Sequence, residues 1–109
     1  MLVLLLLVGG LIGCQEEVSS KATVRVRNLQ LIQRSGGSRY VQGEVYNGGE
    51  KPVPYVEIEI SLFDAKNRKV ETLRVDVRDI PPGKAKAFRK VIDSDKDIQG
   101  ARIRRILIF

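Results

Sequence analysis

The 109-residue sequence contains no histidine, no tryptophan and only one cysteine, Cys14. Without imidazole and with a single thiol, the chain cannot assemble the nitrogen and sulfur ligands of a usual zinc site or form an internal disulfide. The absence of histidine also excludes the serine-histidine-aspartate and cysteine-histidine pairings, in which imidazole takes the proton of the nucleophile. These absences remove most familiar hydrolytic chemistry. We therefore expect a protein that is not an enzyme and that uses no metal or cofactor.

Long hydrophobic runs are also scarce, and the clearest one extends from Leu2 to Ile12, where every residue is apolar or glycine. An α-helix needs about 20 residues to cross the hydrocarbon core of a bilayer, so this run is too short to span a membrane. Its length is typical of the apolar region of a secretory signal, and Gly13 supplies the small side chain that precedes a cleavage site. The alternative interpretation is a buried strand or helix, with Cys14 as a small core residue.

The four residues Leu11-Ile12-Gly13-Cys14 resemble the lipobox of bacterial lipoproteins. The resemblance implies that the Cys14 thiol receives a diacylglycerol and that cleavage leaves Cys14 as the first residue of the mature chain. One acyl chain binds a membrane only marginally, whereas two or three chains on one residue anchor a protein stably. The expected partner is therefore a membrane, which the protein contacts through its lipid anchor.

A lipidated Cys14 divides the chain into a signal peptide at 1–13, a cysteine and short polar tether at 14–21, and a folded domain at 22–109. The implied location is the extracytoplasmic side of a bacterial membrane, in the cell envelope. Gln15 replaces the aspartate that keeps some lipoproteins in the inner membrane, which slightly favours the outer membrane.

Beyond residue 22, apolar and polar side chains alternate with a period of two, which is typical of half-buried β-strands. Two later strands break this alternation, and we predict a bulge or an edge position for each. No stretch shows a helical stripe, apart from one possible turn at 93–99. The predicted fold is an all-β, immunoglobulin-like antiparallel sandwich, with a closed barrel as the alternative. The predicted strands lie in 22–31, 39–47, 56–64, 70–79, 84–92 and 102–109.

The sequence DAKN at 64–67 predicts a tight hairpin with Asn67 in the left-handed conformation. If the flanking strands pair so that Ile60 faces Leu73, then Glu59 faces Arg74. The register that pairs the apolar side chains then also pairs side chains of opposite charge.

The sequence from about 39 to 89 is similar to the FxLYD family of bacterial envelope proteins, named after a Phe-x-Leu-Tyr-Asp strand end. The matching stretch, Ile60-Ser61-Leu62-Phe63-Asp64, retains Leu62 and Asp64 and has apolar and aromatic replacements at the other named positions. The resemblance implies an immunoglobulin-like sandwich outside the cytoplasm and transfers no catalytic residue. The final strand is also similar to the basic-aliphatic strands of other small envelope lipoproteins. Further matches to the family layout are Gly43-x-Val45-x-Asn47, Pro82-Gly83 and Phe88.

The formal net charge of +6 favours anionic partners, and basic residues concentrate in the last two predicted strands. Proteins that bind open nucleic acid strands interleave such charge with stacking aromatic residues, whereas only Phe88 intervenes here, so we do not expect a nucleic acid partner. Anionic lipid or an envelope polymer is the expected counter-charge, and a merely solvated face is the alternative. The candidate contact residues are Lys84, Lys86, Arg89, Lys90, Arg102, Arg104 and Arg105.

Two groups of carboxylates allow a chemical interpretation. Glu57 and Glu59 lie on one strand face at a spacing suited to general acid-base work, but cross-strand ion pairs with Arg74 and Arg78 are the stronger interpretation. The sequence at 93–97 has the alternating aspartates of a calcium loop but lacks the glycine and the final glutamate that such a loop needs, so we expect a solvated loop.

Tyr40, Tyr46 and Tyr55 allow two interpretations, an exposed contact surface or a cover for the edge of the core. Taken together, the sequence predicts a lipid-anchored envelope protein whose β-sandwich binds or scaffolds another envelope protein. The alternative is electrostatic binding of an anionic surface or polymer through a basic face. The sequence leaves the oligomeric state open.

Overall fold

A computed structural model describes residues 23–109, which form six β-strands in two three-stranded antiparallel sheets. The predicted signal peptide, Cys14 and the tether lie outside the described residues. One sheet has the order β1-β2-β5 and the other has the order β4-β3-β6. The strands are β1 (Val24–Gln33), β2 (Arg39–Asn47), β3 (Val53–Phe63), β4 (Lys69–Ile80), β5 (Ala85–Val91) and β6 (Gly100–Ile108).

These two sheets confirm the all-β sandwich, and the closed barrel is wrong because no strand among residues 23–109 joins one sheet to the other. Residues 93–99 contain no helical turn, so the turn considered there is absent. Between Thr23 and Phe109 there is also no helix with the length and hydropathy of a membrane span.

The strand order is that of an immunoglobulin sandwich. Strands β1, β2 and β5 occupy the places of strands A, B and E, and β4, β3 and β6 occupy those of C′, C and F. In that fold, strand F pairs on one side with C and on the other with G. Within the described residues, β6 pairs with β3, and no strand occupies the place of G.

The core lies between the two central strands, β2 and β3. The alternation of β3 turns every second side chain inward, where the aliphatic groups lose all contact with water. Two valines of β2 pack against them from the other sheet. The central side chains, all fully buried, are Val41, Val45, Val56, Ile58, Ile60 and Leu62.

The two flanks of the sandwich differ in how well they cover the core. Strands β4 and β5 meet along one flank, and β1 and β6 meet along the other. The inward apolar side chains at the β4/β5 flank are buried, except Val70 near the start of β4; among them are Leu73, Val75, Val77 and Phe88. At the other flank, which we call the open flank, six aliphatic side chains are only partly buried: Val26, Leu29 and Leu31 of β1, and Ala101, Ile103 and Ile106 of β6.

The predicted hairpin register is confirmed, because Ile60 pairs with Leu73 and Glu59 pairs with Arg74. Asn67 has a φ of 61°, which is the predicted left-handed conformation. The two breaks in alternation have different causes. In β6 the register shifts opposite Glu59 and Ile60, which makes Arg104 the extra residue of a bulge. Strand β5 is an edge strand with regular pairing.

Candidate interaction surfaces

The seven candidate basic residues do not form a single face. Strands β5 and β6 are edge strands of different sheets and lie at opposite flanks of the sandwich. Residues directly opposite each other in a sheet share a face. Lys86 and Lys90 lie opposite the core valines of β2 and therefore point to the inner side of their sheet, whereas Arg89 points outward. The basic face expected from the sequence is therefore divided among at least three directions.

On β6, by contrast, the basic residues come together around one carboxylate. Glu59 lies on the outer face of β3 and is only 2% exposed. Arg105 lies opposite it in the β-ladder, and the bulge brings Arg104 to the same carboxylate. Glu59 Oε1 accepts hydrogen bonds from Arg104 Nη1 at 2.6 Å and from Arg105 Nε at 2.9 Å.

Arg74 approaches Glu59 from the other side, with its Nε 3.4 Å from Glu59 Oε2. This ion pair confirms the prediction from the hairpin register. Three guanidinium groups thus surround one carboxylate, and we call Glu59, Arg74, Arg104 and Arg105 the Glu59 cluster. The hydrogen bond from Arg105 is the main cause that lowers the pKa of Glu59 from 4.5 to about 2, and Arg104 adds to it.

Sequence reasoning missed the two arginines of β6 in this cluster. The signal was present, since the adjacent Arg104 and Arg105 break the alternation of the last strand. A bulge turns both side chains toward one face, but the pairing of β6 with β3 is needed to identify the residue that they meet.

The ion pair predicted between Glu57 and Arg78 is wrong. Glu57 contacts Arg74 instead, with 3.4 Å between its Oε2 and Arg74 Nε. The Arg78 guanidinium lies over the ring of Tyr55, 4.6 Å from its centroid, because Arg78 and Tyr55 are directly opposite in the ladder. Cation–π stacking therefore replaces the expected salt bridge.

The same arrangement recurs across both outer faces. Tyr40 is buried, whereas Tyr46 and Tyr55 are partly exposed, and an arginine covers each ring. The outer faces therefore present guanidinium groups held in place by aromatic rings. The stacked pairs are Arg89 on Tyr40 at 4.5 Å, Arg27 on Tyr46 at 4.4 Å, Arg78 on Tyr55 at 4.6 Å and Arg102 on Phe63 at 4.0 Å.

The loop at 93–99 is held by hydrogen bonds to neighbouring strands. Arg39 donates hydrogen bonds to the carbonyls of Ser94 and Lys96. Ile98 is fully buried and fixes the end of the loop in the core. Within residues 23–109, no three aspartate, glutamate, cysteine or histidine side chains converge on a common point that could hold a metal.

Comparisons with known proteins give a fold and a distant relative. No family model matches the chain. The uncharacterized protein MJ0360 of Methanocaldococcus jannaschii is 29% identical over 66 residues, which cover 61% of this chain and 49% of the relative. The chain thus matches about half the length of that protein. Among solved structures, IrmA from Escherichia coli superposes with a TM-score of 0.60 at 13% identity, covering 79% of this chain and 76% of IrmA. The likeness to IrmA is one of fold alone.

Proposed function

We propose that this protein is a lipid-anchored component of the bacterial cell envelope whose β-sandwich binds another envelope protein and performs no chemistry itself. The observation that carries the proposal is the lipobox-like Leu11-Ile12-Gly13-Cys14, whose cysteine lies ten positions before the start of the sandwich at Val24. At roughly 3.5 Å per residue, the segment from Cys14 to Val24 reaches at most about 35 Å. The sandwich would therefore work close to the bilayer.

The outer faces of the sandwich support a binding role. Arginine is enriched in protein interfaces, where its planar guanidinium both stacks and donates several hydrogen bonds. Here the arginines are already ordered by aromatic rings or by the carboxylate of Glu59. Their side chains would therefore lose less conformational entropy when a partner binds them.

The anchor is tested with Cys14→Ser beside the neighbouring control Gln15→Ser, both expressed with the whole chain. We expect the wild type and Gln15→Ser to incorporate labelled fatty acid, to remain with membranes and to show a mature amino terminus at residue 14 by mass spectrometry. Cys14→Ser should lose the label. Equal labelling of all three, or a wild-type protein that retains Met1 and carries no lipid, would refute the anchor.

A second candidate is direct binding of an anionic surface, which the neighbouring Arg102, Arg104 and Arg105 favour. Its test uses Cys14→Ser, which lacks the proposed anchor, with vesicles rich in phosphatidylglycerol. Association should fall steeply as salt rises above about 0.1 M, where the Debye length is about 10 Å. Binding that does not change with salt would contradict this candidate.

A further inference from the structure

We propose that the outer edge of β6 accepts an extended strand from a partner protein, and that this strand carries acidic side chains on one face and aliphatic side chains on the other. The proposal gives a partner class to the binding role proposed above and rests on that role. It does not depend on the lipid anchor.

Of the four sheet edges formed by residues 23–109, three are obstructed, beginning with those of β1 and β5. The pairing of β1 breaks between Arg27 and Gln30, where Asn28 has a φ of 58°. Strand β5 has only seven residues, and Lys86 and Lys90 point to the inner side of its sheet. Bulges, short strands and inward-pointing lysines are the usual means by which edges resist pairing.

The edge of β4 is obstructed by lysine side chains. The carbonyl of Arg78 accepts a hydrogen bond from Lys86 Nζ at 2.7 Å, and the carbonyl of Val70 accepts one from Lys96 Nζ at 3.2 Å. Within the described residues, β6 has no comparable cover on the side away from β3. Its backbone is therefore the edge most able to pair with another strand.

Alternate backbone amides of β6 point away from β3 and can donate hydrogen bonds to an added strand. The amide of Phe109 donates to the carbonyl of Tyr55 at 3.0 Å, so it points toward β3. Successive amides of a strand point in opposite directions, and the pairing from Arg105 to Ile108 is regular. The amides of Ile106 and Ile108 therefore point to the outer edge, where an incoming strand would meet them.

Aliphatic side chains of the incoming strand would complete the core at the open flank. Ile106 and Ile103 are only partly buried there, and Ile108, which lies opposite the core residue Val56, is 49% exposed. A strand paired with β6 would place alternate side chains beside these isoleucines and remove their remaining apolar surface from water.

The arginines of β6 determine which side chains the other face of the incoming strand should carry. On the outer face its side chains would lie beside Arg102, Arg104 and Arg105, of which the last two share the single carboxylate of Glu59. A second copy paired through its own β6 would bring arginines against arginines, and like charges opposite each other destabilise a sheet. The occupant is therefore acidic. Strand β3, which already pairs with β6, has this pattern in Val56-Glu57-Ile58-Glu59-Ile60.

The test uses a blocked synthetic peptide with the sequence of residues 56–62, VEIEISL, and the full chain purified in mild detergent. Two-dimensional NMR should show perturbed amides along β6 and the open flank, and hydrogen exchange at Ile106 and Ile108 should slow. A control peptide with glutamine at both glutamate positions should bind several-fold more weakly because it lacks the charge. An oligoglutamate of equal charge should not protect these amides.

Matched variants of the protein distinguish backbone pairing of the peptide with β6 from electrostatic attraction alone. Ile108→Pro removes one outward amide without touching a bond to β3 and should weaken peptide binding by about tenfold, the usual scale for a lost hydrogen bond. Arg102→Glu should weaken binding by about three- to tenfold. Lys69→Glu, a charge reversal at an exposed lysine of β4, the opposite edge strand of the same sheet, should leave binding unchanged.

Several outcomes would overturn the proposal: no binding of the peptide, perturbed amides away from β6, equal binding of oligoglutamate, or a dimer of the free chain joined through β6. A retained wild-type spectrum for each variant shows that it folds, and the peptide controls need no variant. Failure here leaves the Cys14 labelling result intact, so the two proposals can fail separately.

Discussion

At the scale of single residues, Glu59 is a carboxylate that the fold buries almost completely. A carboxylate that loses its water must be compensated by charge and by hydrogen bonds, or it destabilises the fold. Arg104 and Arg105 supply both to Glu59. Because Arg74 comes from β4 and the other two from β6, Glu59 links all three strands of its sheet.

Replacement of this carboxylate should change how stability depends on pH. The pKa of Glu59 is lowered from 4.5 to about 2, so ionised Glu59 favours the folded state. Its contribution is complete above pH 4.5 and is lost as the pH falls toward 2. Glu59→Gln should lower the urea midpoint at pH 7. Its unfolding free energy should also decrease less than that of the wild type as the pH falls from 4.5 to 2. Glu57→Gln, which removes a single longer ion pair from the same strand face, is the control for the urea midpoint at pH 7 and should lower it less than Glu59→Gln. If the unfolding free energies of the wild type and Glu59→Gln depend on pH in the same way, this role is refuted.

Gly43 is the second position where one residue decides local packing. A Cβ at this position would lie 3.0 Å from Phe88 Cζ and 3.3 Å from the carbonyl oxygen of Arg27. Gly43→Ala should therefore cost about 1–3 kcal/mol in unfolding free energy, the usual range for overpacking. Gly100→Ala is the control, because its nearest contact would be Phe63 Cβ at 3.9 Å, and it should be tolerated. Equal stability of both variants in chemical denaturation would contradict the packing argument.

At the scale of elements, the β3-β4 hairpin is specified by its turn. Asp64 Oδ1 accepts hydrogen bonds from the amides of Lys66 and Arg68, both at 2.9 Å, which is the Asx-type closure expected of an aspartate at a strand end. These bonds, chiefly the one from Arg68, lower the pKa of Asp64. The turn and the apolar register therefore select the same pairing.

The left-handed residue of this turn gives a direct test. Asn67→Ala should lower the unfolding free energy by about 1–2 kcal/mol, because an L side chain without a local hydrogen bond pays this cost at positive φ. Asn67→Gly should be neutral or stabilising, since glycine adopts this conformation freely. Lys66→Ala controls for the loss of a polar turn side chain. Thermal unfolding of the three variants compares them, and an alanine variant as stable as the glycine variant would be inconsistent with the strained turn.

At the scale of the whole molecule, the sandwich covers its core unevenly. The same substitution can be placed at both flanks, since Val75 of β4 is 6% exposed whereas Val26 of β1 is only partly buried. Val75→Ala should cost about 2 kcal/mol from lost transfer energy and a residual cavity, and Val26→Ala less than about 1 kcal/mol. Urea denaturation measures both. Equal losses would show that the two flanks are equally closed.

Much of this architecture could be predicted from local patterns. The four clear alternating segments are strands, and the Ile60–Leu73 register is correct, because alternation and turn chemistry act over a few residues. The prediction failed where partners come from far along the chain. Arg78 stacks on Tyr55 instead of pairing with Glu57, and the basic residues of β5 and β6 belong to different sheets.

The amino-acid order alone thus determines which segments are strands, where the hairpin turns and which side chains enter the core, because these depend on neighbouring residues. It also contains the lipobox-like residues before Cys14, on which the proposed anchor rests. The tertiary structure decides which strands become edges, that Arg104 and Arg105 meet Glu59, and that one flank stays open beside β6. Strand order depends on contacts between distant segments, and a period of two is the same for a central strand and an edge strand.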